Sequence, residues 1–319
     1  MSRKPTIGII GLGPVGSILA AHLAKSGVDV VVEDVAKKVL TEIKRDGLRV
    51  SGIRELSARI GKTANSMVEL VEFEPDIVFV ATKACFLKAV LAELKSVYKA
   101  GMKVVSFQNG MDNERIIAES LGVDAAYRVV INYAGNLENL GHARMNWFQP
   151  PNYVGAFKRG RYMTDGTTKY VAELLTACGL ETEEASDIKR HVWVKVILNA
   201  ALCSVCGLTG QTMKGAMDFD FSRDLAVKVL EEGLRVAERD GYDFGEDSLN
   251  EFTKYLEKGG AHKPSMLVDV ESRRRTEVDF LSGAIVRYGE RYGVETPVNL
   301  VLTGLLTALE DNYLKKRKS

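Results

Sequence analysis

The sequence predicts an α/β amino-terminal domain, residues 1–185, followed by an all-α carboxy-terminal domain, residues 186–319. Two observations carry this. Up to about Phe157, short β-branched runs alternate with helical patterns and turn glycines, as in a parallel sheet with crossover helices. From about Ser186 onward the periodicity is helical only. A third observation concerns chemistry: Lys195 is the only charged residue between Val192 and Leu208, on an apolar helical run.

Taken in order, Thr6 to Ile10 reads as a strand, and Gly11-Leu12-Gly13-Pro14-Val15-Gly16 then opens an amphipathic helix that runs to Ser26. Val28 to Glu33 is the second strand. In such a βαβ unit Gly11 permits a tight turn, Gly13 lets a pyrophosphate approach the backbone, and Gly16 allows close helix packing. The free N–H groups and dipole of the helix start favour the anion. A GxGxxG alone is weak evidence, but here it lies between a strand and a helix and is followed by Glu33-Asp34. The amino-terminal domain therefore reads as a Rossmann-type dinucleotide-binding domain. A carboxylate at Asp34 can accept from a ribose diol and repels a 2′-phosphate, which leans towards NADH. Lys37 and Lys38, just beyond, either reach a phosphate or face water from the start of the next helix.

Two more parallel strands follow, Ile77 to Ala81 and Val104 to Phe107, ending in Thr82-Lys83 and Gln108-Asn109-Gly110. Ligands of open α/β sheets sit at the carboxyl ends of strands, so Lys83 and Asn109 are either cofactor contacts or ordinary loop residues. Ala125 to Phe157 reads as additional strands, with turns at Gly141, Pro150 and Pro151. In the second domain Ser186-Asp187 is a plausible cap for the helix of Lys195. Phe221 to Glu238 is amphipathic, Ser265 to Arg291 reads as one long helix, and Pro297 to Leu314 closes the chain. A cleft is expected near residue 185, because pockets favour domain interfaces.

Composition excludes several classes. A chain of 319 residues, 46% hydrophobic and 27% charged, has core enough for two domains. Its net charge of +1 gives no global field for nucleic acid or an anionic membrane. The basic tail Lys315-Lys316-Arg317-Lys318 reads as a solvated helix end. No apolar run is expected to reach the roughly 18 residues that a membrane helix needs. Met1-Ser2-Arg3-Lys4 leads into a strand too short for a signal peptide, so a cytoplasmic location is expected. Cys85, Cys178, Cys203 and Cys206 are too few and too apolar in context for a disulfide framework. Cys203 and Cys206 form a CxxC with no second pair nearby, so packing is expected and no metal.

Lys195 and Asn199 are four apart, so one helical face presents an amine and an amide to the same volume. Burial lowers the pKa of an ammonium and prepares it to give up a proton. The ordinary alternative is a lysine that snorkels to solvent along its aliphatic stem. Further on, Ser265 and Glu277 are twelve apart and share a face only if the helix between them is regular. The run Arg273-Arg274-Arg275 either steers an anion or is a solvated face.

With these motifs in view, the chain resembles the ketopantoate reductase (2-dehydropantoate 2-reductase) family along essentially its whole length. The resemblance rests on the residue 11–16 loop, Thr82-Lys83, Gln108-Asn109-Gly110-Met111, Trp193-Val194-Lys195 with Asn199, and Ser265-Met266 through Thr276-Glu277-Val278-Asp279 to Gly283. It implies NAD(P)H-dependent reduction of ketopantoate to pantoate, on the route to pantothenate and coenzyme A, with NADPH the family norm. It implies Lys195 and Glu277 as catalytic residues, Lys195 being the proton donor. Asn199, Ser265 and Asn109 hold the substrate with them, Glu277 accepts from the primary hydroxyl of ketopantoate, and Lys83 and Asn109 serve the cofactor side. The partner is a small 2-oxoacid, and a homodimer is a candidate assembly. One position departs: the family commonly carries a second amide one turn beyond Asn199, where this chain has Cys203. Two alternatives stand beside this reading. One is an NAD-dependent dehydrogenase of other branched or aromatic 2-hydroxy acids, and the other a catalytically silent nucleotide-binding sensor.

Overall fold

The computed structural model describes residues 5–157 and 166–316. The chain divides into two compact units, one of Met1–Gln108 with Asp112–Ile188, the other of Asn109–Met111 with Lys189–Ser319.

The first unit runs β1 (Ile7–Ile10), α1 (Pro14–Lys25), β2 (Val30–Glu33), α2 (Lys37–Asp46), β3 (Leu48–Gly52), β4 (Leu56–Ala58), β5 (Lys62–Ala64), α3 (Met67–Glu72) and β6 (Ile77–Val80). It continues through α4 (Leu87–Val97), β7 (Lys103–Ser106), α5 (Asn113–Leu121), β8 (Ala126–Val130), β9 (Tyr133–Asn139), β10 (His142–Phe148), β11 (Asn152–Ala156), α6 (Thr167–Ala177) and β12 (Thr182–Glu184). The main sheet has the order β12-β11-β8-β7-β6-β1-β2-β5. Every pair in it is parallel except β8 with β11. Its register aligns Ile10 with Glu33 and Val80, and Val80 with Ser106. The carboxyl ends of β1, β2, β6 and β7 are therefore level, and the residues that follow them share one edge.

The expected second strand starts at Val30 rather than Val28, because Val28 still belongs to the end of α1. Gly27 takes φ +76°, and the Val28 N–H donates to the Leu23 carbonyl at 3.1 Å. The strands read across Ala125 to Phe157 divide between two sheets. β8 and β11 extend the main sheet, while β9 and β10 join β3 and β4 in a second one, ordered β4-β3-β10-β9. That second sheet corrects the reading of α1 as amphipathic. α1 packs against β1 and β2 on one side and β3, β4, β9 and β10 on the other. Ile18, Leu19, Ala20, Ala21 and Leu23 are all 0% exposed. Burying each of the larger ones contributes about 1.5–3 kcal/mol.

Beside the main sheet, Arg128 of β8 donates to Glu114 of α5 at 2.9 Å, with both side chains buried. Removing one member strands a charge away from water. Glu114→Ala should therefore cost about 3–5 kcal/mol in denaturant unfolding, and a loss under about 1 kcal/mol would show that the pair is effectively solvated.

The second unit contains α7 (Ile188–Thr209), α8 (Met213–Asp218), α9 (Asp220–Arg239), α10 (Ser248–Glu257), α11 (Ser265–Glu271), α12 (Ser282–Tyr292) and α13 (Pro297–Lys315). Of the basic tail, Arg317 and Lys318 lie outside the described residues. Contrary to the expectation of no membrane-length apolar run, α7 is long and apolar enough to cross a bilayer, with 67% of its most apolar stretch buried. Packing accounts for that composition, since other helices surround α7. Trp193 donates to Asp240, the residue just after α9, at 2.8 Å and meets Tyr288 of α12 edge-on. Ser204 and Ser282 share a buried hydrogen bond of 2.6 Å. Gly207 faces Leu306 of α13 and Met266 of α11. Buried Glu232 on α9 accepts from the Val298 and Asn299 amides and the Asn299 side chain, which caps α13 from a neighbouring helix.

The long helix expected over Ser265 to Arg291 is broken. α11 stops at Glu271, Arg273 takes the left-handed φ of +52°, and the Arg274 amide closes back on the Asp269 carbonyl at 2.8 Å. A 3₁₀ turn, Val278–Phe280, precedes α12. The polar run Glu271-Ser272-Arg273-Arg274-Arg275 is exposed throughout, so no apolar stripe holds a helix there.

Candidate active site

The glycine loop follows from the level strand ends. Gly11 has φ +92°, and a Cβ there would lie 2.8 Å from Thr82 Cγ2. A Cβ on Gly16 would lie 2.0 Å from the Gly11 carbonyl oxygen. Both glycines are thus required by the protein's own packing. Gly13 differs: nothing lies within 4 Å of the Cβ position, so its missing side chain leaves open room over the backbone. α1 starts there with Pro14 in its first turn, no side-chain cap and no acidic residue. An open glycine before uncapped helical amides fits a pyrophosphate. Leu12 is buried, and the Val15 carbonyl accepts from the Tyr133 hydroxyl at 3.0 Å, which ties the loop to β9.

Asp34 is held by backbone amides. Oδ2 accepts from Leu12 and Oδ1 from Ala36, each at 2.7 Å. A carboxylate offers about four acceptor positions, so lone pairs remain for a ribose diol. Its neighbour Glu33 is 4% exposed, and its carboxyl is pushed up to about 7 by burial first, then by Asp34 and Glu93. Near neutral pH the acidic pair therefore carries less than two full charges. Lys37 and Lys38 are exposed at the start of α2. Lys83 directly follows Thr82, whose carbonyl and hydroxyl oxygens accept from Gln108 Nε2 at 2.9 and 3.2 Å. Ser106 orients that amide by donating to its Oε1 at 3.1 Å. These contacts of Gln108 are not evident from sequence, although its position after a parallel strand is the available signal.

In the second unit, Lys195 and Asn199 share the one face of α7 that stays partly exposed, while Val192, Trp193, Val196, Ile197 and Ala200 are buried. Lys195 keeps accessible surface, yet burial of its head group pulls its pKa down to about 8. Two turns on, Cys203 accepts a hydrogen bond from the Met266 amide. Its thiol is pushed up to about 12 by burial foremost, with Cys206 and Glu277 adding to the rise and Lys195 opposing it. Cys203 is therefore a neutral thiol near Lys195, Glu277 and the start of α11. Cys206 is likewise buried and pushed up to about 12, as expected of a packing residue.

Ser265 is exposed at the first position of α11, beside the Met266 that bonds Cys203. Glu277 is half-buried in the turn before Val278–Phe280, so it reaches this region from the loop and not along a helix face shared with Ser265. Asn109 arrives from the end of β7. The Met111 amide donates to the Phe280 carbonyl at 2.9 Å, and a Cβ on Gly110, at φ +96°, would lie 2.5 Å from that of Phe280. Of the run Arg273-Arg274-Arg275, Arg274 pairs with Asp269 at 3.2 Å and all three are exposed. Chemically, the second unit offers a cation of lowered pKa, an amide, a hydroxyl and a carboxylate around a neutral thiol.

Residues 7–159 match the family described as ketopantoate reductase PanE/ApbA, and residues 187–310 match its carboxy-terminal domain. The chain belongs to the ketopantoate reductase family. It is 33% identical over 312 residues to the 2-dehydropantoate 2-reductase of Archaeoglobus fulgidus, covering 97% of this chain and 99% of that one. The 2-dehydropantoate 2-reductase of Pyrococcus abyssi is 29% identical, with coverages of 95% and 97%. A ketopantoate reductase structure from Ralstonia eutropha JMP134 superposes with a TM-score of 0.86 at 22% identity, covering 97% and 99% of the two chains, and so shares the fold. A complex of D-mandelate dehydrogenase with NADH gives 0.81 at 25% identity, with coverages of 96% and 99%. Ketopantoate reductases are NAD(P)H-dependent oxidoreductases acting on a CH–OH group, and the open backbone at Gly13 is what such a dinucleotide requires.

Proposed function

We propose that this chain reduces ketopantoate to pantoate, with Lys195 as the proton donor. The observation that carries the reading is the part-exposed Lys195, its head group lowered in pKa by burial, on the same helical face as Asn199. A reduced nicotinamide, when bound, supplies the hydride that the ketone carbon takes. As charge develops on the ketone oxygen, Lys195 Nζ donates a hydrogen bond to it and then its proton. Asn199, one turn away, orients the substrate oxygens, and the Ser265 hydroxyl donates to the substrate carboxylate. Glu277 accepts from the primary hydroxyl. Asn109 orders the cofactor side of the site, and Lys83 offsets negative charge there. Gly11 to Gly16 hold the pyrophosphate, and Asp34 the adenosine ribose.

For the cofactor, Asp34 favours NADH, because a 2′-phosphate would meet its carboxylate. The four free cysteines suit a reducing cytoplasm. A homodimer is the proposed assembly, as a ketopantoate reductase from Staphylococcus aureus is described as dimeric. A second reading, reduction of bulkier 2-oxoacids, is favoured by one observation. The buried neutral thiol of Cys203 occupies the position where the family pattern has an amide. Initial rates with NADH and NADPH against ketopantoate, 2-oxoisovalerate and phenylglyoxylate separate the readings. Fastest turnover of ketopantoate with NADH is expected. Fastest turnover of phenylglyoxylate would overturn the substrate, and a preference for NADPH would overturn the cofactor.

A further inference from the structure

The turn that carries Glu277 has no helix or sheet ladder of its own to hold it. It runs from the left-handed Arg273 to the 3₁₀ turn, and Glu277 sits at φ −104°, ψ 23°, in the sparsely populated bridge region. The Phe280 amide donates to the Glu277 carbonyl and the Met111 amide to the Phe280 carbonyl, each at 2.9 Å, and on the other side of Glu277 further ties come from α13. The Thr276 backbone N–H and its hydroxyl both donate to one oxygen of Glu310, each at 2.8 Å. Thr276 is 5% exposed, so the donor end of this pair of bonds is shielded from water. Three residues on, the Tyr313 hydroxyl donates to the Arg274 carbonyl at 2.6 Å. α13 is fixed in turn at its other end by Glu232.

We infer that Glu310 is a positioning residue that sets the site's selectivity for a hydroxyl-bearing 2-oxoacid by fixing the backbone beside Glu277. The inference rests on the reading of Glu277 as acceptor for the substrate hydroxyl. Two donors converging on one carboxylate oxygen make a charge-assisted clamp, and Thr276 is the residue adjacent to Glu277. A displacement of about 1 Å at a hydrogen-bonding group is enough to lose its contribution. Lys195 sits on a different helix, α7, so the proton donor stays in place when Glu310 is changed.

The test is the kcat and KM of Glu310→Ala, Glu310→Gln, Thr276→Val and Glu277→Ala on ketopantoate and on 2-oxoisovalerate, which lacks the hydroxyl. Glu310→Ala is expected to raise KM for ketopantoate about tenfold, with 2-oxoisovalerate little changed. Glu310→Gln keeps an acceptor oxygen and should restore most of the preference. Thr276→Val, nearly isosteric, removes one donor and should give a smaller loss of the same selective kind even if Glu310→Ala folds poorly. Equal losses on both substrates, or an unchanged preference in Glu310→Ala and Thr276→Val while Glu277→Ala loses it, would overturn the inference. An unchanged preference in Glu277→Ala itself would overturn the reading beneath it as well.

Discussion

Lys195→Ala should lower kcat on a 2-oxoacid by about 100- to 10,000-fold, the range ascribed to a positioned general acid. The loss should fall mainly on kcat, because the oxyanion that the ammonium stabilises exists only as the hydride arrives. A general acid works best with a pKa near the operating pH, and burial brings this lysine from the ordinary 10.5 to about 8. The acid form is the active one, so the rate of the wild-type enzyme should be flat below about pH 8 and fall about tenfold for each further pH unit. The same burial has the opposite effect on stability. The folded pKa is depressed below the unfolded one, so the penalty for burying the ammonium is fully present below about pH 8. It is relieved as the pH rises from about 8 towards 10.5. Lys195→Met should therefore melt higher than wild type near neutral pH, with a smaller gain at about pH 10. A substitution that left kcat intact, or a rate that kept climbing above about pH 9, would remove Lys195 from the role of acid.

Glu277→Ala is expected to lower kcat/KM for ketopantoate by roughly 10- to 100-fold, the worth of a hydrogen bond to a charged acceptor. The rate on 2-oxoisovalerate should change little, since that substrate has no hydroxyl to offer. Glu277→Gln keeps an acceptor and should lose less. Selectivity is the informative quantity here, because a general disturbance of the turn would reduce both substrates alike. Indifference of both rates to Glu277→Ala would move the assignment towards bulkier apolar 2-oxoacids.

Parts of the candidate site are legible in the sequence because their determinants are local. The glycine loop is fixed by backbone geometry that neighbouring residues state: positive φ at Gly11 and close packing at Gly16 both exclude a side chain. Lys195 and Asn199 stand out because a helix repeats about every 3.6 residues and one charge on an apolar run is conspicuous. What escapes is set by distant partners. The second sheet depends on His142 of β10 aligning with Arg49 of β3, far away in sequence, so α1 shows no sign of being covered on both sides. The break after Glu271 needs the exposure of the arginine run and the bonds from Glu310 and Tyr313, none of which periodicity records.

By itself, then, the sequence determined an α/β nucleotide-binding half, an all-helical half and the lysine–amide pair that one helical face presents. Those follow from periods and steric rules that act over a few residues. Tertiary structure alone decided how protonated the groups are and where they point. The Lys195 pKa of about 8, the neutral Cys203 thiol and the Glu33 carboxyl raised to about 7 arise chiefly from burial by other elements. The turn that carries Glu277 is held by a carboxylate on the last helix. Desolvation and long-range hydrogen bonds depend on which surfaces meet in three dimensions, and sequence spacing does not encode that.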